Sequence, residues 1–357
     1  MMKVAIIAGT RPEIIKLFPI IKLLKKRNRS VIFTGQHYDF DLGIRFFKEL
    51  ELPLPEYRLK ISKEFPAVQI GEMVSKLQPI LSDIKPDTVM VQGDTNTALA
   101  GAICALKMGI PINHVESGLR SFDWRMPEEH NRVEIDHISD LLFAATKDSK
   151  KKLIEEKVHG KIFVTGNTVM DSIKQNMKLV NKKSNLDIGK NDFVLFTMHR
   201  AENVDEQETV RNIISSLIES LENIVFPIHP RTLKRLHQFN LFSKISNNKN
   251  IRLVRSVGYF DMLRLMKNCK FIVSDSGGIQ EEATSPLIRK KVLVIRKTTD
   301  RPEAVKSGFS QIVGTRKARI LKAMKDTAKN PVLENIPSPY GKGKSGRMIV
   351  AIIKDHF

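Results

Sequence analysis

Cysteine, tryptophan and acidic charge are all scarce in this chain. Of 357 residues two are Cys and one is Trp, and 39 Asp and Glu stand against 59 Lys and Arg. Cys104 and Cys269 both sit in apolar surroundings, which excludes a disulfide framework or a thiolate zinc site and suits a reducing, cytoplasmic setting. No apolar run is long enough for a membrane span. The opening stretch, residues 1–9, is too short for a signal peptide and reads as a buried first strand, so no membrane partner is expected. HExxH, CxxC and an Asp-rich calcium loop are missing, so no metal is expected. GxGxxG and GxSxG are missing too, which leaves a conventional NAD site and a serine nucleophile elbow unsupported.

The formal net charge of +20 has two readings. It points to an anionic partner, or it is the solvated Lys-rich surface common in heat-adapted proteins. Most of the lysines fall on expected helices, as in Lys22-Leu23-Leu24-Lys25-Lys26-Arg27 at a helix end. A clustered basic helix and the aromatic pair of an RNA-binding strand are both lacking, so nucleic acid is not expected.

What is present is alternation. Short β-branched runs at 4–8, 31–34, 88–92, 112–116, 141–145 and 162–165 alternate with helical-period stretches at 13–27, 67–84, 97–108 and 147–157. Strands apolar on both faces imply a parallel sheet covered by helices on each side. The pattern weakens over residues 178–191, a polar stretch expected as a linker, and resumes with runs at 193–198, 224–228, 251–254, 271–273, 292–295 and 312–314. The fold class is therefore α/β, with two Rossmann-like doubly wound domains facing a cleft. Expected boundaries are 1–177 for the first domain and 178–342 for the second, with a last helix at 343–357 crossing back onto the first.

Open α/β sheets bind ligands beyond the carboxyl ends of their strands, so polar residues there carry the most information. Gly9-Thr10-Arg11-Pro12-Glu13 follows the first strand, and Arg11 and Lys16 lie near one helix N-terminus where an anion is favoured. Asp94 follows the run at 88–92, where a helix N-cap is an equally good reading. Glu116 ends the run at 112–116 beside Gly118, a placement harder to explain as structure. Glu128 and Glu129 open a helix at Pro127, and Trp124 precedes them as packing anchor or ligand contact. In the second half His199 and His229 follow strands, and Ser274-Asp275-Ser276-Gly277-Gly278-Ile279-Gln280-Glu281-Glu282 reads as strand, tight turn and helix start, a cradle for phosphate.

Taken together these segments resemble the non-hydrolysing UDP-N-acetylglucosamine 2-epimerases. The matching stretches are Gly9–Glu13, Gly35-Gln36-His37, Gly93-Asp94-Thr95, His114-Val115-Glu116-Ser117-Gly118-Leu119-Arg120 and Pro127-Glu128-Glu129-His130-Asn131-Arg132. They continue with Thr165-Gly166-Asn167-Thr168, His199-Arg200, the 275–282 loop and Thr299-Asp300-Arg301-Pro302-Glu303-Ala304, in family order over nearly the whole chain. Two departures stand out: the approach to Glu128 is shorter than in many bacterial relatives, and Arg200-Ala201-Glu202 replaces the usual Arg-Arg-Glu.

The resemblance implies a two-domain fold like that of GT-B glycosyltransferases and an isomerase needing neither cofactor nor metal. It implies interconversion of UDP-GlcNAc and UDP-ManNAc through loss of UDP to 2-acetamidoglucal, supplying UDP-ManNAc for cell-surface polysaccharide or glycan synthesis. A hydrolysing relative, or an epimerase of another UDP-HexNAc, is the alternative. Carried over by position, Asp94, Glu116 and Glu128 are the catalytic carboxylates and His199 supports the departing diphosphate. Arg11, Lys16, Ser276, Gly277, Gly278, Glu282 and Arg301 hold UDP, and the loop from Val257 to Met262 meets uracil. Gln36 and His37 serve a second UDP-GlcNAc where relatives carry one, and a homodimer is implied.

Overall fold

The structure, a computed structural model, describes residues 2–36, 40–62, 65–184, 186–188, 192–255, 257–333 and 335–357. The chain divides into two compact units, residues 1–172 with 340–357 and residues 173–339.

In the first unit β1 (Val4–Ala8), β2 (Arg29–Phe33), β3 (Tyr57–Arg58), β4 (Thr88–Gln92), β5 (Ile112–Ser117), β6 (Leu141–Ala144) and β7 (Lys161–Val164) form one parallel sheet, ordered β3-β2-β1-β4-β5-β6-β7. β1 lies inside the sheet between β2 and β4, and all five of its side chains are fully buried. Each Ile there contributes roughly 1.5–3 kcal/mol of transfer free energy. That burial on both faces is why β1 reads as an unbroken apolar run rather than an alternating one. One layer of the core joins Ile7 and Val91 of the sheet to Met73, Leu77 and Leu81 of helix Pro66–Ile84 and to the Ala-rich helix Asn96–Lys107.

The second unit repeats the plan. β8 (Val194–Thr197), β9 (Ile224–Pro227), β10 (Ile251–Val254), β11 (Ile272–Ser274), β12 (Val292–Val294) and β13 (Ser310–Ile312) are all parallel, ordered β10-β9-β8-β11-β12-β13. In both sheets the order reverses beside the first strand, between β1 and β4 and between β8 and β11. These are the switch points where doubly wound sheets open a crevice.

Three elements differ from the sequence reading. β3 was not anticipated, because two residues, one of them Arg58, carry no hydrophobic run. β13 begins at Ser310, ahead of the run at 312–314. The expected linker opens as helix: Met177–Leu179 is a 3-10 turn and Val180–Lys183 is helical, with Met177 and Val180 buried beneath their lysines. Polar composition there marks a helix surface, and the two units divide earlier, between Ser172 and Ile173 inside helix Thr168–Asn176. Residues 185 and 189–191 of that stretch lie outside the described residues. The last helix, Ser345–His356, belongs to the first unit and packs on helix Arg11–Leu23, where Gly346 lies against Pro19. No helix of the described residues is long and apolar enough to cross a membrane.

Candidate active site

The first unit places Asp94 just past β4 and Glu116 near the carboxyl end of β5, with Glu128 on the helix that follows. Asp94 follows Gly93, whose φ of +72° turns the chain out of β4. Capping is done by the next residue: Thr95 Oγ1 accepts from Ala98 N at 3.1 Å and starts helix Asn96–Lys107. Asp94 instead accepts from the guanidinium of Arg132, through Nε at 3.1 Å and a closer Nη2 contact, with its side chain 27% exposed. Its backbone carbonyl is held by Asn131 Nδ2 at 2.9 Å, and His114 Nε2 donates to the Gly93 carbonyl at 2.9 Å. The Asp94 loop is thus fixed from helix Pro127–Ile138 and from β5. Behind it His114 Nδ1 meets Asp136 at 2.7 Å, and Arg120 pairs with the other oxygen of Asp136 at 2.7 Å.

Glu116 is held in strained backbone. It sits at a register break in β5 with φ +71°, the left-handed region that a non-glycine residue occupies at a cost of order 1–3 kcal/mol. Its carboxylate is buried, and Oε2 accepts from Lys16 Nζ and from Asn167 Nδ2, the latter at 3.0 Å. Lys16 comes from helix Arg11–Leu23 after β1, and Asn167 from the turn after β7. Backbone strain of this kind persists only where the surrounding structure holds it, as Lys16 and Asn167 do here, and it clusters at functional sites.

The paired glutamates of helix Pro127–Ile138 separate in role. Glu129, 1% exposed, accepts from Ser121 N, Ser121 Oγ, Phe122 N and Arg132 Nη1 at 2.8–3.1 Å, latching the approach loop to its helix. Glu128 stays half-buried on the first turn. Trp124, 65% exposed, lies against His130 with ring centroids 4.5 Å apart and planes tilted by 45°, and its carbonyl meets His130 Nε2 at 2.7 Å.

Arg11 and Lys16, expected to converge on one anion, have different neighbours. The Arg11 guanidinium lies 4.9 Å from the Phe46 ring centroid, and Lys16 pairs with Glu116. Gln36 turns inward: its Oε1 accepts from Thr97 N and Thr97 Oγ1 at 2.9 and 2.8 Å, bracing the start of helix Asn96–Lys107. His37 lies outside the described residues. Glu13, the last residue of the quoted Gly9–Glu13 stretch, joins two helix starts. It accepts from Gly9 N, Thr10 N and Thr10 Oγ1 through Oε2 and from Thr95 Oγ1 through Oε1. Burial pushes its carboxyl up to about 7 despite these hydrogen bonds.

In the second unit His199 follows β8, and Asp275 follows β11 across the switch point. Asp275 is fully buried and accepts from His199 N, Arg200 N and Asn203 Nδ2, and its Oδ1 lies 3.3 Å from His199 Nδ1. Burial lowers the His199 pKa, opposed by Asp275 and reinforced by Arg200, Arg296 and Arg231. His229, 5.7 Å away between ring centroids, accepts from Arg231 N at 3.2 Å and caps helix Pro230–Gln238.

Ser276, Gly277 and Gly278 form the turn after β11. Ser276 Oγ caps the short helix Gly277–Glu282 by accepting from Ile279 N. A Cβ on Gly277 would lie 3.2 Å from Asp300 Oδ1, whereas one on Gly278 would be nearly free. Glu282 is half-buried at the end of this helix. Arg301 is 6% exposed, paired with Glu281 through Nε and with Asp300 Oδ2 at 2.9 Å. Arg296 adds a second cation, 3.3 Å from Asp300 Oδ1 and 2.7 Å from Glu202. Val257 and Met262, both half-buried, stand after β10 at the start of helix Tyr259–Asn268.

Asp94, Glu116, His199 and Ser276 lie at or just past a strand's carboxyl end, whereas Lys16, Glu128, Met262, Glu282 and Arg301 lie on, or at the start of, helices further along the chain. Arg132, Asn167, Asp275, Glu281 and Arg296 were not chosen from the sequence as site residues. Four of these five stood inside quoted motifs, where a paired guanidinium, amide or carboxylate was the available signal.

Comparison with known proteins shows the family. A family model described as UDP-N-acetylglucosamine 2-epimerase matches residues 22–354. The chain belongs to this family, a family of isomerases. Among epimerases of the family, the UDP-N-acetylglucosamine 2-epimerase of Methanocaldococcus jannaschii is 46% identical over 365 residues, covering 99% of both chains. The UDP-2,3-diacetamido-2,3-dideoxy-D-glucuronate 2-epimerase of Pseudomonas aeruginosa is 32% identical, covering 98% of each. The crystal structure of the M. jannaschii epimerase in complex with UDP-GlcNAc and UDP superposes with TM-score 0.91, covering 99% of this chain and 100% of that one at 45% identity. The Neisseria meningitidis epimerase bound to UDP-GlcNAc superposes with TM-score 0.87 at 33% identity, covering 99% and 100%.

Proposed function

We propose that the protein interconverts UDP-GlcNAc and UDP-ManNAc by eliminating UDP and adding it back. The observation that carries this reading is Glu116, a buried carboxylate held in left-handed backbone at a strand end, with Asp94 at the end of the adjacent strand. The chemistry requires such groups. The C2 hydrogen has no neighbouring carbonyl and is not acidic until the C1–O bond yields. Heterolysis of that bond sends its electron pair to UDP and leaves an oxocarbenium-like centre at C1. A carboxylate then takes the C2 proton and the C1–C2 double bond of 2-acetamidoglucal forms. A carboxylic acid on the other face returns a proton to C2, UDP re-adds to C1, and proton exchange with water resets the two carboxyl groups.

Asp94 and Glu128 are the proton-transfer pair in this reading, and Glu116 stabilises the cationic centre. The same reading gives His199, Arg11, Lys16 and Arg301 to the diphosphate, with the Ser276–Gly278 amides. Glu282 takes the ribose hydroxyls, and the loop from Val257 to Met262 takes uracil. Lys16 and Arg301 are both ion-paired in this structure, and an ammonium or guanidinium has more N–H donors than one carboxylate takes up, so each can meet a diphosphate while paired. UDP-ManNAc formed in this way would feed cell-surface glycan synthesis, and the protein would act as a cytoplasmic homodimer.

The test is proton NMR of UDP-GlcNAc incubated with pure protein in D2O. Growth of UDP-ManNAc carrying deuterium at C2 is expected. Free ManNAc plus UDP would make the protein a hydrolysing enzyme. An unchanged spectrum, with turnover of a UDP-diacetamido uronate instead, would move it to the substrate of the P. aeruginosa relative.

A further inference from the structure

We propose that Asn167 is a positioning residue for Glu116, holding its carboxylate in the orientation that the reaction uses. The inference rests on the reading of Glu116 as catalytic. Asn167 lies in the turn after β7, two strands along the sheet from β5, and is 2% exposed. Each polar group of its side chain has one defined partner. Nδ2 donates to Glu116 Oε2 at 3.0 Å, and Oδ1 accepts from Val169 N at 2.9 Å, which fixes the amide against flipping. The backbone is fixed as well: Asn167 N donates to the Tyr340 carbonyl at 2.9 Å. Gly166, at φ +82°, allows this approach, since a Cβ there would lie 2.9 Å from that carbonyl and 2.8 Å from Ser345 Oγ.

Both donors to Glu116 Oε2 are thus braced by the returning end of the chain. Residues 340–346 lie against the Asn167 turn, and Asp171, in the helix following that turn, accepts from Ser345 N and Gly346 N at 3.0 and 3.2 Å. The last helix packs on helix Arg11–Leu23, which carries Lys16. Lys16 supplies charge and Asn167 supplies direction. A lysine on a flexible stem fixes a carboxylate's position loosely, whereas a planar amide with its other end tied sets the plane. A carboxylate in left-handed backbone needs such a partner, because the strained main chain does not itself select one side-chain orientation.

The experiment compares Asn167→Ala, Asn167→Asp and Glu116→Gln in the full chain, reading kcat, KM, UDP affinity, the pH dependence of kcat and thermal unfolding. Asn167→Ala should lower kcat about tenfold to a hundredfold, the range commanded by a lost hydrogen bond to a charged group. UDP affinity should stay within about twofold, and the acidic limb of the kcat profile should move to higher pH because the ionised carboxylate has lost a donor. Asn167→Asp keeps the acceptor for Val169 N and sets a second carboxyl against Glu116, so the limb should move further the same way. This variant carries the test if the alanine variant does not fold. A kcat and acidic limb like wild type in Asn167→Ala, with Glu116→Gln inactive, would overturn the positioning role and leave Glu116 catalytic. A reduced kcat with an unmoved limb and a lower melting temperature would make Asn167 merely structural and overturn the proposal. Wild-type turnover in Glu116→Gln would remove Glu116 from the mechanism and the proposal with it.

Discussion

Replacing Glu13 by Gln should make the protein more stable at alkaline pH, although it removes a carboxylate with four hydrogen-bond donors around it. In the wild type, burial raises this carboxyl from 4.5 to about 7. The folded state therefore binds the proton more tightly than the unfolded chain. The stability so gained is fully present below about pH 4.5 and is lost as pH rises through about 7. At about 1.4 kcal/mol per unit of pKa, the span corresponds to about 3 kcal/mol. The geometry allows Gln to replace the protonated acid. Gly9 N, Thr10 N and Thr10 Oγ1 all reach one oxygen, Oε2, and only Thr95 Oγ1 meets the other. An amide can offer its oxygen to the three donors and one N–H to Thr95 Oγ1, which also accepts from Ala98 N. Thermal unfolding of both proteins from pH 5 to 9 checks this. Glu13→Gln should gain on the wild type by up to about 3 kcal/mol across that range, roughly 6–12 °C in melting temperature at about 2–4 °C per kcal/mol. Parallel pH curves would refute the reasoning, because they would mean that Glu13 ionises alike in the folded and unfolded chain.

Asp94→Asn should abolish turnover while leaving UDP affinity within about twofold. Calorimetry and a progress curve on one sample check this, and unchanged turnover would remove Asp94 from proton transfer. Glu128→Gln and Glu129→Gln should split: the first loses turnover with an unchanged melt. The second loses roughly 1–3 kcal/mol of stability, because the loop amides and Arg132 bind its charged form. Equal melts for the two would contradict the division of roles. Arg301→Met removes the cation from buried Glu281 and Asp300 and should cost about 3–5 kcal/mol. Arg301→Met with Glu281→Gln should recover part of that loss in chemical denaturation, and strictly additive losses would contradict the buried pairing.

Much of this is legible in the sequence, for a physical reason. Strands buried on both faces announce themselves as unbroken apolar runs, so β1, β4 and β10 have the bounds the runs gave, and the doubly wound order follows from the alternation. β3 and the helical turn at 177–183 were hidden because short or surface elements bury too few side chains to mark the sequence. The strand-end logic also located the candidate carboxylates, since Glu116 beside Gly118 is hard to justify as structure. Partners were not legible. Nothing in the spacing says that Lys16 meets Glu116 a hundred residues on, or that Asn167 completes the pair, because those contacts are made by sheet order rather than by sequence. Capping chemistry misleads in the same way: Asp94 looks like an N-cap, yet Thr95 takes that place and leaves Asp94 to Arg132.

The central claim is that the bond from C1 to the diphosphate breaks during epimerisation. It is tested by UDP-GlcNAc carrying 18O at the oxygen that joins C1 to phosphorus, incubated with the protein and followed by 31P NMR. Breaking and re-forming of the C1–O bond lets the β-phosphate rotate, so the label should spread into non-bridging positions as UDP-ManNAc appears. UDP-ManNAc formed with the label wholly retained in the bridge would contradict elimination and re-addition.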